Sequence, residues 1–312
     1  MSGGIFWLPP AASDVAARVD ALFFAMVALT GTVALAITIV VLVFAVRYRR
    51  GSRADRSNAP AKKLPVEIAW TVTPLAIFLG VFVWGAAVYA GLYRPAADAM
   101  PVYVVGKQWM WKAEHANGRR EIDELHLPAG QPVRLVLATQ DVIHSFYVPA
   151  FRIKQDAVPG RYTTIAFTPT KAGTFALRCA EYCGTDHAHM GGRVIVMQPA
   201  DFQRWLAQGA PAGTMAARGF ARFRELGCSG CHDPRSSVHA PDLAGLYGRT
   251  VHLADGRSVV ADESYIRDSI LLPKRDVVAG FDPIMPSFQG QVGEDDLLEL
   301  IAYIKSTKSE SG

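Results

Sequence analysis

The chain has 312 residues, which is long enough for two or three domains. Half of its residues are hydrophobic and 19% are charged, so a disordered chain and a highly charged nucleic-acid-binding protein are both excluded. The net charge of +4 is spread unevenly. Residues 47–66 carry seven basic side chains and one acid, whereas residues 213–312 carry 11 basic and 14 acidic side chains. Such a split indicates a membrane protein rather than a nucleic-acid partner.

Two uncharged hydrophobic segments, residues 21–46 and 68–93, predict a pair of transmembrane helices. As a helix, each segment would be roughly 39 Å long, against a hydrocarbon core of about 30 Å. The basic loop between them should stay in the cytoplasm by the positive-inside rule. We therefore expect a two-pass hairpin in a bacterial inner membrane, with both termini and everything after the hairpin on the periplasmic side.

The next part of the chain, residues 97–212, predicts an all-β domain. Short runs rich in β-branched and aromatic residues are separated by Gly, Pro and Asn, and we interpret them as alternating strands of a small sandwich or barrel. The runs are VYVVG (102–106), VRLVLA (133–138), YTTIAF (162–167) and RVIVM (193–197). A short helix over residues 200–207 is expected to lead into a linker at residues 208–213.

Residues 213–312 predict a third, all-α domain. Helices are expected over residues 215–226, 264–271 and 294–306. In the last of these, apolar residues recur at three- and four-residue spacing, which gives the helix one apolar face. The predicted domains are therefore a hairpin in residues 1–96, a β-domain in residues 97–212 and an α-domain in residues 213–312.

The α-domain contains the sequence CSGCH at residues 228–232. This is the C-x-x-C-H pattern of covalent c-type haem attachment, in which Cys228 and Cys231 bond the haem and His232 binds its iron. A sixth ligand is needed, and Met285, in a proline-rich loop, is the expected one because His–Met ligation is common in electron-carrying cytochromes c. Met215 lies on the linker side of the motif. His239 and His252 are the alternatives to Met285.

A second pair of cysteines lies in the β-domain. Cys179 and Cys183 share a twelve-residue segment with His187 and Met190, and His144 lies upstream. Thiolate and thioether ligands beside imidazole favour copper, and the second cysteine exceeds what a single copper needs. Two bridging thiolates could hold two copper ions close together. Disulfide bonds and a Cys₂His₂ zinc site are the alternatives.

Three motifs give this region a family resemblance. The pattern C-x-E-x-C-x-x-x-H-x-x-M at residues 179–190, DVIHSF at 141–146 and QDAVPGR at 155–161 resemble subunit II of haem–copper cytochrome c oxidases. The α-domain resembles class I cytochromes c in its haem motif, in APDL at residues 240–243 and in its closing helix. The whole chain thus resembles subunit II of a caa-type oxidase. The implied fold is a transmembrane hairpin, a cupredoxin-like sandwich and a class I cytochrome c domain.

The resemblance also implies the roles of individual residues. It implies a dinuclear copper centre, CuA, with bridging thiolates from Cys179 and Cys183, imidazoles from His144 and His187, and axial ligands from Met190 and the carbonyl of Glu181. The side chain of Glu181 would bind a magnesium or manganese ion shared with subunit I.

Two further residues match functional positions of the family. Trp109 matches the point of electron entry, although Met110 stands where relatives that use soluble cytochrome c commonly have tyrosine; the alternative is a packed surface aromatic. Glu67 matches a glutamate at the mouth of a proton channel in subunit I. An acid in the first turn of a helix is also favoured by the helix dipole alone.

The function implied is the electron-entry subunit of an aerobic, proton-pumping respiratory oxidase. Electrons would pass from haem c to CuA and then to haem a in subunit I, since this chain lacks the histidine cluster that oxygen reduction requires. The implied partners are subunit I, subunit III, the lipid bilayer and, as upstream donor, a cytochrome c or a quinol–cytochrome c reductase. A nitric oxide reductase of the same superfamily and a free-standing, membrane-tethered electron carrier are the alternatives.

Overall fold

The computed structural model describes residues 8–55, 63–208, 213–234, 236 and 238–307. Part of the predicted cytoplasmic loop, residues 56–62, and most of the predicted linker, residues 209–212, lie outside the described residues. The described chain has two long apolar helices, a β-sandwich and a helical domain, so the expected three-part fold class is confirmed.

The hairpin consists of α1 (Asp14–Arg47) and α2 (Leu64–Leu92), both long and apolar enough to cross a membrane. The α1 helix begins before the uncharged segment because Ser13 caps it: its hydroxyl accepts a hydrogen bond from the amide of Ala16 at 2.9 Å. The same hydroxyl donates to the carbonyl of Phe151 at 2.8 Å. This cap therefore joins the start of α1 to the β-domain.

The β-domain has ten strands in two sheets. The strands are β1 (Met100–Lys107), β2 (Met110–His115), β3 (Arg120–Ile122), β4 (Glu124–Pro128), β5 (Val133–Thr139), β6 (His144–Val148), β7 (Ile153–Ala157), β8 (Thr163–Phe167), β9 (Gly173–Cys179) and β10 (Gly191–Met197). The strand order is β3-β2-β1-β5-β8 in the first sheet and β4-β10-β9-β6-β7 in the second. Trp111 and Phe146, one from each sheet, meet edge to face at 5.3 Å in the core between them.

The expectation of simple alternation is wrong for β1 and β5. Val102 and Leu135 face the core, but Tyr103 and Val136, on the opposite face, are also no more than 4% exposed. A sheet of a sandwich normally presents its outer face to water. Here the helical domain covers the outer face of the first sheet, so side chains on both faces of these strands are buried.

The rest of the chain is largely helical. Its elements are α3 (Pro199–Ala207), α4 (Met215–Glu225), α5 (Ser229–His232), β11 (Thr250–His252), β12 (Ser258–Val260), α6 (Glu263–Leu271) and α7 (Glu294–Ser306). The three helices expected in the α-domain are present, and the small β11–β12 hairpin was not predicted. The α4 and α7 helices cross closely at Gly219, where an added Cβ would lie 1.9 Å from the carbonyl oxygen of Glu299.

We predict that Gly219→Ala destabilises the α-domain by roughly 1–3 kcal/mol, because the two helices must separate to admit a methyl group. The thermal unfolding midpoint, followed by haem absorption, should fall. The matched control is Gly293→Ala, outside the haem motif, where an added Cβ would lie 3.9 Å from the Asp296 side chain, an ordinary contact distance. Equal midpoints for the two variants would contradict the close crossing.

Candidate functional site

The cysteine-rich loop connects β9 to β10 and is fixed at both ends by the second sheet. Cys179 is the last residue of β9, and its amide donates to the carbonyl of Met190 at 3.0 Å. The amide of Ala180 donates to the carbonyl of Ser145 in β6 at 2.9 Å. The loop folds back so that the sulfur of Cys183 lies 3.8 Å from that of Cys179, and both side chains are buried.

Four further donor groups converge on these two sulfurs. The Nδ1 atom of His144 lies 4.0 Å from the Cys179 sulfur, because β6 pairs with β9. The carbonyl oxygen of Glu181 lies 3.3 Å from the same sulfur. Around the Cys183 sulfur, Nδ1 of His187 lies at 3.4 Å and Sδ of Met190 at 3.5 Å. Two thiols, two imidazoles, a thioether and a carbonyl are a donor set that fits copper ions held between two sulfurs.

The pKa values of the two thiols are also consistent with a site that binds a cation. Burial opposes ionisation of Cys179, but hydrogen bonds from His144 and the backbone outweigh it and lower its pKa to about 6. Burial and the neighbouring Cys179 raise the pKa of Cys183 to about 12. Two buried thiolates side by side repel each other, and a bound metal ion supplies the positive charge that lets both ionise.

Residues that sequence analysis did not single out orient His144. Its Nε2 atom lies 2.8 Å from a carboxylate oxygen of Asp141, whose other oxygen accepts from the amide of Gln108 at 2.8 Å. On its other side, Gly106 leaves space for the imidazole: an added Cβ would lie 2.8 Å from the ring. These contacts direct Nδ1 of His144 toward the sulfurs. The available signal was the acid three residues before the histidine in DVIHSF.

Trp109 lies directly against the cysteine loop. Its indole nitrogen donates to the carbonyl of Cys183 at 3.3 Å, and the side-chain amide of Gln108 donates to the same carbonyl at 2.7 Å. Gly184 makes this approach possible, since its φ is +118° and an added Cβ would lie 2.8 Å from the Gln108 amide nitrogen. The predicted entry residue is thus one hydrogen bond away from a predicted copper ligand.

The α-domain contains a second candidate site, an open pocket with mainly apolar walls. Cys228, Cys231, His232 and Met285 all line it. Its apolar walls include Phe223, Leu246, Ile266, Ile270, Leu300 and Ile304. The Nδ1 atom of His232 lies 2.9 Å from the carbonyl oxygen of Pro241, which leaves Nε2 as the ligand atom. Two thiols, an oriented imidazole and a thioether on an apolar pocket fit a covalent haem with His–Met ligation.

The other candidates for a sixth ligand differ in position. Met215 is 1% exposed and packs against the β-domain, outside this pocket. His252 is exposed, contacts the Ser258 hydroxyl at 2.8 Å and does not line the pocket. His239 does line it, with its ring stacked on Phe281 at 4.5 Å. The structure therefore leaves Met285 and His239.

Two other predicted residues, and one further histidine of the cysteine loop, lie at the surface. The side chain of Glu181 is exposed beside the cysteine loop. Glu67 is exposed in the first turn of α2, at the opposite end of that helix from the β-domain, and the structure does not bring it to either site. His189 is exposed and its Nδ1 lies 2.5 Å from a carboxylate oxygen of Asp186.

Comparisons with known proteins match two parts of the chain. The family model for the periplasmic domain of cytochrome c oxidase subunit II matches residues 120–198, and that for cytochrome c matches residues 216–308. Cytochrome c oxidase subunit 2 of Thermostichus vulcanus is 31% identical over 261 residues, which cover 66% of this chain and 80% of the relative. Subunit 2 of Alkalihalophilus pseudofirmus is 30% identical over 301 residues, 91% of this chain and 84% of the relative.

Among solved structures, the periplasmic domain of cytochrome oxidase subunit II from Bradyrhizobium japonicum is 28% identical. The match covers 37% of this chain and 96% of that domain, with a TM-score of 0.36.

For the cysteine loop, we predict two coppers per chain in protein purified from membranes. The mixed-valence centre should give a seven-line hyperfine pattern in the electron paramagnetic resonance spectrum, because one electron is shared by two copper nuclei. Cys183→Ser should abolish the pattern, and His187→Ala should change it. His189→Ala is the matched control and should leave it unchanged. A four-line pattern from the unmodified protein would mean a single copper and would overturn the assignment.

For the pocket, we predict that Met285→Ala lowers the reduction potential of the haem by on the order of 100 mV, because the axial sulfur is lost. The weak sulfur-to-iron absorption band in the far red should disappear with it. Met215→Leu is the control, since Met215 lies outside the pocket. If Met285→Ala has no effect and His239→Ala changes the spectrum, His239 is the ligand instead.

Proposed function

The chain belongs to the cytochrome c oxidase subunit 2 family and carries a cytochrome c domain, and on this basis we propose that it is the electron-entry subunit of an aerobic respiratory oxidase. Family membership makes it part of a haem–copper terminal oxidase, with subunit I as partner, copper in its β-domain and haem in its α-domain. The observation that carries the proposal is the convergence of four donor groups on two buried sulfurs, in a chain that also has a pocket with an oriented histidine beside two cysteines.

The two sites have separate roles in the proposed electron transfer. When bound, a covalent haem c and a dinuclear copper centre would carry electrons from an external donor to haem a of subunit I, where oxygen is reduced to water and protons are pumped. Haem would be held by Cys228, Cys231, His232 and Met285. The coppers would be held by His144, Cys179, Glu181, Cys183, His187 and Met190. The surrounding residues keep these ligands in place and exclude water, so little reorganisation accompanies a change of charge.

Three surface residues complete the proposal. Trp109, bonded to the carbonyl of Cys183, would be the point at which electrons enter the copper domain. Glu181 presents an exposed carboxylate beside the cysteine loop, where it could bind a magnesium or manganese ion shared with subunit I. Glu67 would lie at the mouth of a proton channel of subunit I.

The proposed topology places both termini and both metal domains outside the inner membrane of a bacterium. The basic loop between α1 and α2 favours the cytoplasm. The segment before α1 supports an outer N-terminus, because the amide of Ala12 donates to the carbonyl of Ala150 in the β-domain at 2.9 Å. Subunit III and an upstream cytochrome c or quinol–cytochrome c reductase are the further partners proposed.

The charge of the copper domain bears on where electrons enter. A domain that recruits a soluble, basic cytochrome c needs an acidic face, because complementary potentials steer the encounter. Residues 98–212 carry 12 basic and 10 acidic side chains, whereas residues 213–312 carry three more acids than bases. The tether already keeps a cytochrome at high local concentration. We therefore propose that the fused haem is the obligatory entry point.

To test this, we would delete residues 214–312 and measure oxidase turnover with soluble cytochrome c. Turnover should fall by about a hundredfold or more, while the copper spectrum, which reports the folding of the copper domain, stays unchanged. In the full-length oxidase, added salt should slow electron delivery to the haem and hardly affect transfer from haem to copper. A truncated oxidase as fast as the whole one would make Trp109 the main entry for soluble donors.

A further inference from the structure

The outer face of the first sheet is apolar at its centre, which is unusual for a sandwich in water. We call this area the docking face; its central residues are Tyr103, Val105, Val136 and Ala138. Leu298 of α7 and Met215 of α4 pack onto it and are no more than 2% exposed. These two side chains turn away from the haem pocket and belong to the contact between the domains.

A closed set of charges lies at one side of this apolar contact. Glu114 and Arg120 come from the β-domain, and Arg218 and Glu299 come from the α-domain. Each carboxylate contacts both guanidinium groups: Glu114 lies 3.0 Å from Arg120 and also contacts Arg218, whereas Glu299 lies 2.7 Å from Arg218 and also contacts Arg120. Both carboxylates are buried, at 7% and 4% exposure. Buried charges are tolerated only when paired in this way.

Another set of contacts holds the turn before β8. Arg267 of α6 donates to the carbonyl of Gly160 at 3.0 Å and pairs with Glu294 of α7 at 2.6 Å. The hydroxyl of Tyr162 donates to the same glutamate at 3.3 Å. Burial, together with Glu294, raises the pKa of Tyr162, so its hydroxyl keeps the proton that it donates. The α-domain thus forms hydrogen bonds with residues within and next to the QDAVPGR motif.

Two further ion pairs join the two domains, and Lys305 adds a pair within the α-domain. Glu263 of α6 lies 2.9 Å from Arg134 of β5 and 2.8 Å from Lys305 of α7. Burial would raise the pKa of Glu263, but Lys305 and Arg134 lower it to about 2, so it stays charged. In the second pair, Lys112 of β2 lies 3.1 Å from Asp295 of α7.

From this apolar centre and its four surrounding polar clusters, we infer that the cytochrome c domain is docked on the outer face of the copper domain by a non-covalent interface, and does not swing freely on its linker. The partner of the docking face is the α4–α7 side of this chain's own cytochrome domain. An apolar centre with a polar rim is the composition of a specific protein interface. The consequence is that the haem keeps one position relative to the copper ligands between turnovers.

The test is to cleave the linker and measure whether the cytochrome domain remains bound to the copper domain. Residues 209–212 would be replaced by a protease recognition sequence in the full-length protein, which would be cleaved natively after purification. In about 0.15 M salt we expect the haem-bearing fragment to co-elute with the rest of the chain in gel filtration. A haem-bearing fragment that elutes separately as soon as the linker is cut would overturn the inference.

Two sets of variants identify the contact surface. Leu298→Asp would bury an unpaired carboxylate at the docking face and should increase the haem fraction released after cleavage by about tenfold or more. The matched control is Val260→Asp, a change of the same kind at a side chain of the cytochrome domain that is 56% exposed. The haem spectrum of each variant reports whether the cytochrome domain has folded. Equal release from both variants would contradict docking at this face.

A charge exchange gives an independent check. Lys112→Glu and Asp295→Lys should each speed release of the cleaved domain, by about three- to tenfold, because like charges then face each other. The double variant restores an opposite-charge pair and should return release toward that of the unmodified protein. A double variant that releases the haem-bearing fragment as fast as the two single changes combined would show that Lys112 and Asp295 do not contact each other.

Discussion

The copper-binding part of this chain depends on the pairing of β6 with β9. This pairing places His144, at the start of one strand, against Cys179, at the end of the other. The loop then needs only to fold back through hydrogen bonds to both strands for the second sulfur to lie 3.8 Å from the first. The sandwich core supplies the rigidity that keeps these donor groups close together.

The two candidate sites use one structural device. In each, a histidine has one ring nitrogen directed at the site and the other held by an oxygen: Asp141 holds His144, and the carbonyl of Pro241 holds His232. Such contacts fix the tautomer and the orientation of the ring. Both sites exchange electrons in the proposed function, and fixed ligands reduce the reorganisation that each transfer requires.

The interface between the domains explains features that a free copper domain would not need. Tyr103 and Val105 would be exposed apolar side chains on an isolated sandwich, and Glu114 would be a solvated acid. Under the cytochrome domain they become the centre and the charged rim of one contact. The turn at Gly160 also belongs to this contact, because its carbonyl accepts a hydrogen bond from Arg267 of the other domain. The apolar and charged residues on this face of the β-domain are therefore explained by its contact with the α-domain of the same chain.

The secondary-structure elements and the types of ligand can be inferred from the sequence alone. Uncharged length predicts the two long helices, and the spacing of cysteine, histidine and methionine indicates both sites, because such motifs are local. The tertiary structure is needed for every feature that depends on contacts between distant segments. It alone brings Gln108 to Asp141 and His144 to Cys179, separates Met215 from the haem pocket, and covers the outer face of β1 and β5. Alternation reports which side chains share a face, but burial depends on what packs against that face, and here that partner comes from another domain of the chain.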